Sequence, residues 1–140
     1  MKDLIQANYE SYVPLLEQAK LTMEIQSDES TLVADEEQIQ LVLSNLISNT
    51  IKYATPNSVI TLRWSLGSLS LQNHTSMTDV NDVQRLTEPF YRSDKSRSRN
   101  QGSTGLGLYI VKQILDLHKF NLKLSLVDDI FTVSIDTAQK

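Results

Sequence analysis

The stretch Gln101–Leu115 reads QGSTGLGLYIVKQIL and joins a glycine-containing turn directly to an apolar segment. Leu106, Ile110 and Ile114 recur there at helical spacing, which predicts a helix packed against a core. The first turn of a helix leaves backbone N–H groups unpaired, and glycines let a ligand approach the backbone closely. Such a junction can bind phosphate, although glycines before a helix more often form only a tight turn. The junction alone is therefore only a candidate phosphate site, and evidence for it has to come from other motifs in the chain.

Length and composition limit the class of protein. The chain has 140 residues, 40% of them hydrophobic, which suits one compact domain. It contains no cysteine, so disulfides and thiolate metal sites are excluded. A run of about 18 apolar residues is missing, and the N-terminus has no basic segment followed by an apolar one. We therefore expect a soluble domain without a membrane span or a signal peptide.

The charges are unevenly distributed along the chain. The net charge is −4, and residues 1–40 hold nine acidic against two basic side chains. Between Arg85 and Arg99 the balance reverses, with five basic side chains against Glu88 and Asp94. A local basic patch on an acidic protein suits an anionic small ligand or an acidic partner surface. The net charge argues against general nucleic-acid binding.

Periodic apolar residues predict the order of helices and strands. The predicted elements are a helix over 4–21 that Pro14 disturbs, a hairpin of 21–25 and 31–34, a helix from Asp35 to Tyr53, a hairpin of 59–64 and 69–72, a short helix over 80–86, the glycine-turn helix, and a hairpin of 122–127 and 130–135. Asp35 and Gln38 loosely match the capping-box pattern. The polar segment 93–104 lacks apolar anchors, which predicts a mobile loop over the phosphate site or an ordinary solvated loop.

Asn45, Asn49 and Lys52 share one face of the predicted central helix, since they fall within about 60° of one another at about 100° per residue. Asparagine is unfavourable inside a helix because its side chain competes for the backbone. Two of them one turn apart indicate either interhelical hydrogen bonds and solvent exposure, or a cation site. In the second case amide oxygens ligate a hard cation such as Mg²⁺, and Lys52 neutralises the phosphates that the cation also holds.

Three motifs, taken together, resemble those of one family. Asn45–Tyr53 (NLISNTIKY) is similar to the N box, Glu88–Arg92 (EPFYR) to the F box and Gly102–Leu108 (GSTGLGL) to the G2 box of a sensor histidine kinase. The resemblance covers nearly the whole chain, and the combination at this spacing is specific although no single box is. It implies the ATP-binding catalytic domain of a two-component kinase. The implied fold class is α+β, the Bergerat two-layer α/β sandwich shared with gyrase B and the mismatch-repair ATPases, with a mostly antiparallel sheet of about five strands and about three helices on one face.

The resemblance also implies roles for individual residues. Asn49 would be the Mg²⁺ ligand, Asn45 and Lys52 would contact phosphate, and Tyr53 would lie beside adenine. Phe90 would anchor the lid over the nucleotide. The full set implied for binding ATP and Mg²⁺ is Asn45, Asn49, Lys52, Tyr53, Asn73, Phe90, Arg92, Gly102, Thr104, Gly105, Leu106, Gly107 and Leu108.

The chain departs from the family at the G1 box. Family members usually carry Asp-x-Gly-x-Gly after the strand, with the aspartate accepting a hydrogen bond from the adenine amino group; here that place holds Leu71-Gln72-Asn73-His74-Thr75. The side-chain oxygen of Asn73 could still accept from adenine, but more weakly than a charged acceptor. Because an amide can flip and donate instead, we expect weak adenine binding and a reduced preference for ATP over GTP. The glycine pair that often follows the family histidine is replaced by Lys119-Phe120.

The implied reaction is phosphoryl transfer to histidine. His74 and His118 are expected to be structural or solvated, and the family's phosphoacceptor lies on a separate dimerisation domain that this chain lacks. No covalent catalytic residue is therefore expected, and the fragment should be inactive alone. Its contribution would be positioning and charge neutralisation. An amide at Asn45 cannot activate water as a general base, so hydrolysis is not expected.

The resemblance places this chain in a larger protein. Residues 1–20 would be a linker and first helix from the dimerisation region, and 21–140 the catalytic domain. Implied partners are ATP, the protein's own dimerisation domain and a response regulator, with no nucleic acid. The parent would be a membrane-associated homodimer that holds this domain in the cytoplasm. The competing hypothesis is a regulatory interaction module with weak or no ATP binding, because the G1 box is missing; retention of Asn49, Lys52 and Gly105-Leu106-Gly107 favours the kinase.

Overall fold

A five-stranded sheet carries a layer of helices on one face. The structure, a computed structural model, describes residues 1–77, 83–89 and 107–137. The elements in these ranges are α1 (Lys2–Gln18), β1 (Thr22–Ser27), α2 (Glu36–Tyr53), β2 (Val59–Ser65), β3 (Ser68–His74), a 3-10 turn (Arg85–Thr87), α3 (Gly107–His118), β4 (Asn121–Val127) and β5 (Ile130–Asp136). Within these ranges, every helix is too short or too polar to span a bilayer.

The sheet order is β1-β2-β3-β5-β4. β1 and β2 are parallel, so α2 is the crossover between them, and all other neighbours are antiparallel. Alternate residues of the strands face the helices and are buried: Ile60, Leu62, Trp64, Leu69, Leu71, Phe131, Val133 and Ile135. The other face is largely polar. The predicted α+β class and two-layer sandwich are confirmed.

Helix α2 lies at the centre of the helical layer. Its N-cap is Asp35, as predicted, whose carboxylate accepts from the Gln38 backbone N–H at 3.1 Å. The Asp35 backbone N–H donates to Nε2 of His118 at 3.4 Å, which ties the start of α2 to the end of α3. On the opposite side, Asn8 of α1 and Gln40 of α2 exchange two amide hydrogen bonds of 2.9 and 3.0 Å. Both flanking helices are thus fixed to α2 by polar contacts.

The predicted first hairpin is wrong. β1 forms, but residues 31–34 are not a strand, because β1 pairs with β2 rather than with the segment that follows it. The alternation there is real: Leu32 and Ala34 pack partly against the core while Val33 is 94% exposed. Residues 31–34 therefore show the alternation of a strand because they run along the core, although they pair with no strand of the sheet that the structure describes.

Pro14 does not interrupt the first helix, contrary to expectation. α1 continues through it from Lys2 to Gln18. Pro14 is exposed, so the backbone hydrogen bond that it cannot make lies on the solvent side. Buried Ile5 and Leu16 pack α1 onto the core on either side of it. Packing of α1 against the core therefore outweighs the tendency of proline to break a helix.

The other two predicted hairpins are confirmed. β2 and β3 turn at Leu66-Gly67, and β4 and β5 turn at Asp128-Asp129, with all four residues at positive φ. The short helix predicted over 80–86 is seen in part, as residues 83 and 84 are helical before the 3-10 turn. The start of the predicted glycine-turn helix, 101–106, lies outside the described residues.

Helices α1 and α3 end in the same way. At the end of α3, the Lys119 N–H donates to the Asp116 carbonyl and the Phe120 N–H to that of Leu115, at 3.1 and 2.9 Å. This is the Schellman pattern, and α1 repeats it with Lys20 in the equivalent place. Lys119 has φ 62°, a left-handed conformation that favours glycine. The lysine that replaces a family glycine is therefore held in a strained backbone.

We predict that Lys119→Gly stabilises the protein. Removing Cβ at a left-handed position should raise the free energy of unfolding by about 0.5–1 kcal/mol, after the greater flexibility of glycine in the unfolded chain is subtracted. Denaturant unfolding measures this. Lys119→Ala is the control, since it removes the charge but keeps Cβ, and an equal gain in that variant would contradict the backbone explanation.

Candidate functional site

The predicted polar face of α2 meets the start of α3. Asn45, Asn49 and Lys52 are half-buried on successive turns of α2. A Cβ atom added to Gly107, the first residue of α3, would lie 3.2 Å from Oδ1 of Asn45. The amide of Asn45 therefore touches the backbone at the helix end that was predicted to bind phosphate. These two parts of the predicted site are brought together.

Asn45 has a defined orientation. Its Nδ2 donates to the Leu41 carbonyl oxygen, one turn earlier in α2, at 2.9 Å. The nitrogen is committed to the backbone, so the oxygen is the atom directed at Gly107. Asn45 consequently presents an acceptor at the start of α3.

Asn49 carries an unsatisfied polar atom. Its Nδ2 is buried and has no hydrogen-bond partner among the residues that the structure describes. Leaving a buried donor unpaired costs on the order of 1–3 kcal/mol, and such atoms in native structures require an explanation. A ligand that completes the site supplies one, because the amide can then donate to a phosphate oxygen or, after rotation, ligate a cation through its oxygen. The donor set therefore fits a bound Mg²⁺–nucleotide.

Lys52 and Tyr53 end α2 beside the core. Nζ of Lys52 lies 5.2 Å from the centroid of the Tyr53 ring, a cation–π distance. The Tyr53 ring is 1% exposed and packs edge-on to Phe131 of β5 at 6.1 Å. Tyr53 thus has a core role in addition to its predicted place near adenine, which stays a prediction. The ring gives the ammonium of Lys52 a fixed neighbour at the mouth of the site.

Asn73 faces the helices from β3 and is 3% exposed. Its Nδ2 donates to the His74 carbonyl oxygen at 3.0 Å. Exchanging the nitrogen and oxygen of the Asn73 amide would break this bond and place Oδ1 of Asn73 against the His74 carbonyl oxygen. The structure therefore opposes the flip on which the expected loss of ATP preference depended, and it holds the oxygen as the atom available to a base.

With Asn73 taken as the counterpart of the G1 aspartate, the Asp-x-Gly-x-Gly spacing puts Thr75 and Met77 at the two glycine positions, and both residues are buried. The Thr75 N–H donates to the Asp129 carbonyl at 2.9 Å, and the Met77 N–H donates to Oγ1 of Thr75 at 3.2 Å. The segment is therefore anchored by one backbone and one side-chain hydrogen bond, and it has no glycine at these positions. Sequence reasoning assigned no role to either residue, although their spacing from Asn73 marks them as the glycine positions.

Other predicted residues can be placed only in part. Leu108 is buried in α3. The remaining predicted contacts lie outside the described residues: Phe90, Arg92, Gly102, Thr104, Gly105 and Leu106. In the described part of the chain, no group of three or more His, Cys, Asp or Glu side chains could hold a metal. A cation at the amide face would accordingly depend on asparagine oxygens and on oxygens of its ligand.

Comparison with a family model and with known sequences agrees with the resemblance of the three motifs. Residues 34–139 match the model of the family described as histidine kinase-, DNA gyrase B-, and HSP90-like ATPase. The chain is 40% identical over 100 residues to the phosphate regulon sensor protein PhoR of Pseudomonas aeruginosa, covering 69% of this chain and 23% of that protein. It is 35% identical over 107 residues to the sensor histidine kinase YkoH of Bacillus subtilis, covering 75% and 24%. The chain thus spans about a quarter of the length of these relatives.

Solved structures share the fold. The mycobacterial sensor histidine kinase MprB superposes with a TM-score of 0.81 at 19% identity, covering 96% of this chain and 93% of that one. A nucleotide-free catalytic domain of the histidine kinase ThkA gives 0.76 at 22% identity, covering 98% and 92%. At these identities the likeness shows the architecture alone.

We predict that Asn49→Ala stabilises the nucleotide-free protein more than Asn45→Ala does. Both variants gain the helix propensity of alanine, but only the first removes an unpaired buried donor. The difference in unfolding free energy should be about 1 kcal/mol, measured by denaturant unfolding in EDTA. A smaller gain for Asn49→Ala than for Asn45→Ala would mean that the Asn49 amide is satisfied in solution.

Proposed function

Because the chain belongs to the family of histidine kinase-, DNA gyrase B- and HSP90-like ATPases, we propose that it is the ATP-binding catalytic domain of a two-component sensor histidine kinase. It delivers the γ-phosphoryl group of ATP to a histidine on a separate dimerisation domain, from which the group passes to an aspartate of a response regulator. The observation that carries this proposal is the unpaired buried Nδ2 of Asn49, on the helix face that Gly107 adjoins.

The chain's own residues position and neutralise charge. Asn49, whose side-chain nitrogen is buried, would hold Mg²⁺ through its amide oxygen, and the ammonium of Lys52 would neutralise a phosphate oxygen. The N-terminal end of α3 offers backbone N–H groups to the phosphates. When bound, Mg²⁺ supplies positive charge to the phosphate oxygens during transfer. Asn45 cannot remove a proton from water because its nitrogen donates to Leu41 and its amide is not basic. This supports transfer to an acceptor rather than hydrolysis.

The base is read by Asn73. The amino group of adenine is a donor and meets the amide oxygen, whereas guanine has an acceptor at that position. Since the nitrogen of Asn73 is held by His74, the site favours ATP. The absent carboxylate weakens this contact but does not invert it.

The competing hypothesis of a module without ATP binding is not favoured. Its support is that Thr75 and Met77 fill the glycine positions of the G1 box. Such a module, however, has no use for a buried amide donor without a partner, and an apolar residue at position 49 would be more stable. The unpaired Asn49 therefore supports a chain that still binds its ligand.

The domain belongs to a larger protein. The chain spans about a quarter of its relatives, which supports a parent with further domains. We propose that residues 1–20 connect to the dimerisation domain and 21–140 form the catalytic domain. The parent would be a homodimer at the cell membrane with this domain in the cytoplasm.

Titration of the domain with ATP in the presence and absence of Mg²⁺ tests the function. We expect Mg²⁺-dependent binding that Asn49→Ala reduces by at least about tenfold, because one hard-cation ligand is removed. Ser48→Ala is the matched control, since Ser48 is the exposed neighbouring residue of the same helix. No measurable ATP binding by the unmodified chain would overturn the kinase proposal, and an unchanged affinity in Asn49→Ala would remove that residue from the site.

We predict that the unmodified domain prefers ATP to GTP and that Asn73→Ala narrows this preference. The expected loss of ATP affinity is about fivefold to tenfold, the scale of one hydrogen bond of about 1 kcal/mol. Competition binding with the two nucleotides provides the measurement. Gln72→Ala, on the exposed face of the same strand, is the control and should leave both affinities unchanged. Equal binding of ATP and GTP by the unmodified domain would show that Asn73 does not select the base.

A further inference from the structure

The glycine at position 107 is not required by its backbone. Gly107 is part of helix α3 and its φ is not in the left-handed region. In a helix, glycine is less favourable than alanine by up to about 1 kcal/mol. The reason for its presence is therefore to be found in its surroundings.

Those surroundings are the side chain of Asn45. A Cβ atom on residue 107 would lie 3.2 Å from Oδ1 and 3.9 Å from Cγ of Asn45, and the first of these is closer than ordinary van der Waals contact. On its other side the amide is held by Nδ2 donating to the Leu41 carbonyl at 2.9 Å. The amide thus occupies a slot between the backbone of α2 and the start of α3. A methyl group at 107 would require the amide oxygen to move by a few tenths of an ångström.

We propose that Gly107 is a positioning residue that acts through Asn45: the missing side chain allows Asn45 to hold its amide oxygen, and not its nitrogen, toward the ligand at the start of α3. This inference rests on the proposed function and refines it. An oxygen repels phosphate oxygens, so Asn45 serves the cation or its bound water instead of donating to phosphate. The role differs from the phosphate contact that the family resemblance implied.

A role for Asn45 at the cation predicts a loss of ATP binding that depends on Mg²⁺. If Asn45 acts on the cation side, displacing its oxygen should weaken ATP binding in Mg²⁺ and leave binding in EDTA nearly unchanged. If Gly107 instead served only to bring the α3 backbone close to phosphate, ATP binding would weaken to the same extent in Mg²⁺ and in EDTA. Dependence on Mg²⁺ therefore separates the two explanations.

The test is a double-mutant cycle of Gly107→Ala and Asn45→Ala, with ATP affinity measured in Mg²⁺ and in EDTA. We expect Gly107→Ala to weaken binding in Mg²⁺ by about threefold to tenfold, the range of coupling between residues in contact. The double variant should bind no more weakly than Asn45→Ala alone. Losses that multiply in the double variant, or an equal loss in EDTA, would overturn the proposal.

A second measurement needs no nucleotide. In NMR spectra of the free protein, Gly107→Ala should shift the side-chain amide resonances of Asn45, while Gln113→Ala, at an exposed position of the same helix, should not. Unmoved Asn45 resonances would overturn the positioning role whatever the binding data show. If the unmodified chain binds no ATP, the kinase proposal fails, and these spectra still decide whether Gly107 places the amide. Unfolding of Gly107→Ala at or above the unmodified free energy is expected and excludes a general loss of structure.

Discussion

Burial of the apolar stripe of α2 is the constraint on which the rest of this domain depends, and the amide of Asn49, unpaired among the described residues, borders that stripe. A buried donor without a partner is tolerated only where the rest of the helix is firmly held, and α2 meets that condition. Beside Asn49, the helix carries Ile39, Val42, Leu43, Leu46 and Ile47, all of them buried. Two helices and the sheet enclose this apolar stripe, so the cost of one unsatisfied group is small against the burial of five aliphatic side chains. The apolar stripe and the residues proposed to bind the ligand therefore lie on adjoining faces of a single helix.

Neighbouring elements restrain α2 by directional contacts as well as by packing. The reciprocal amides of Asn8 and Gln40 determine how α1 lies along it, and the bond from Asp35 to His118 joins its start to α3. Hydrogen bonds of this kind have strict geometry, so they set register more narrowly than aliphatic contacts do. The polar contacts therefore fix α1 along α2 and join the start of α2 to the end of α3.

Local sequence features predicted much of this arrangement, and non-local ones account for what was missed. The Asp35 cap, the α2 boundaries and the two hairpins with tight turns depend on residues close in sequence, and these were found. The segment 31–34 and the continuity of α1 through Pro14 depend on which strand β1 pairs with and on what α1 packs against. The candidate site shows the same division between features set by nearby residues and features set by distant ones. The face shared by Asn45 and Asn49 follows from helical spacing, but the orientation of the Asn73 amide depends on one carbonyl, and the closeness of Asn45 to Gly107 depends on the separation of two helices.

The parallel pairing of β1 with β2 has a consequence for the order of assembly. Because α2 is the crossover between these strands, it is enclosed in a loop that closes only when Thr22 meets Val59. Closing a long loop is slow relative to forming a local hairpin such as β2–β3 or β4–β5. During synthesis α2 therefore has α1 as a neighbour from the start, but the sheet encloses it only after β2 has been made, and its second flank is missing until the more distant α3 follows. The proposed nucleotide site is thus among the last parts of the domain to become native, although its asparagines are made early.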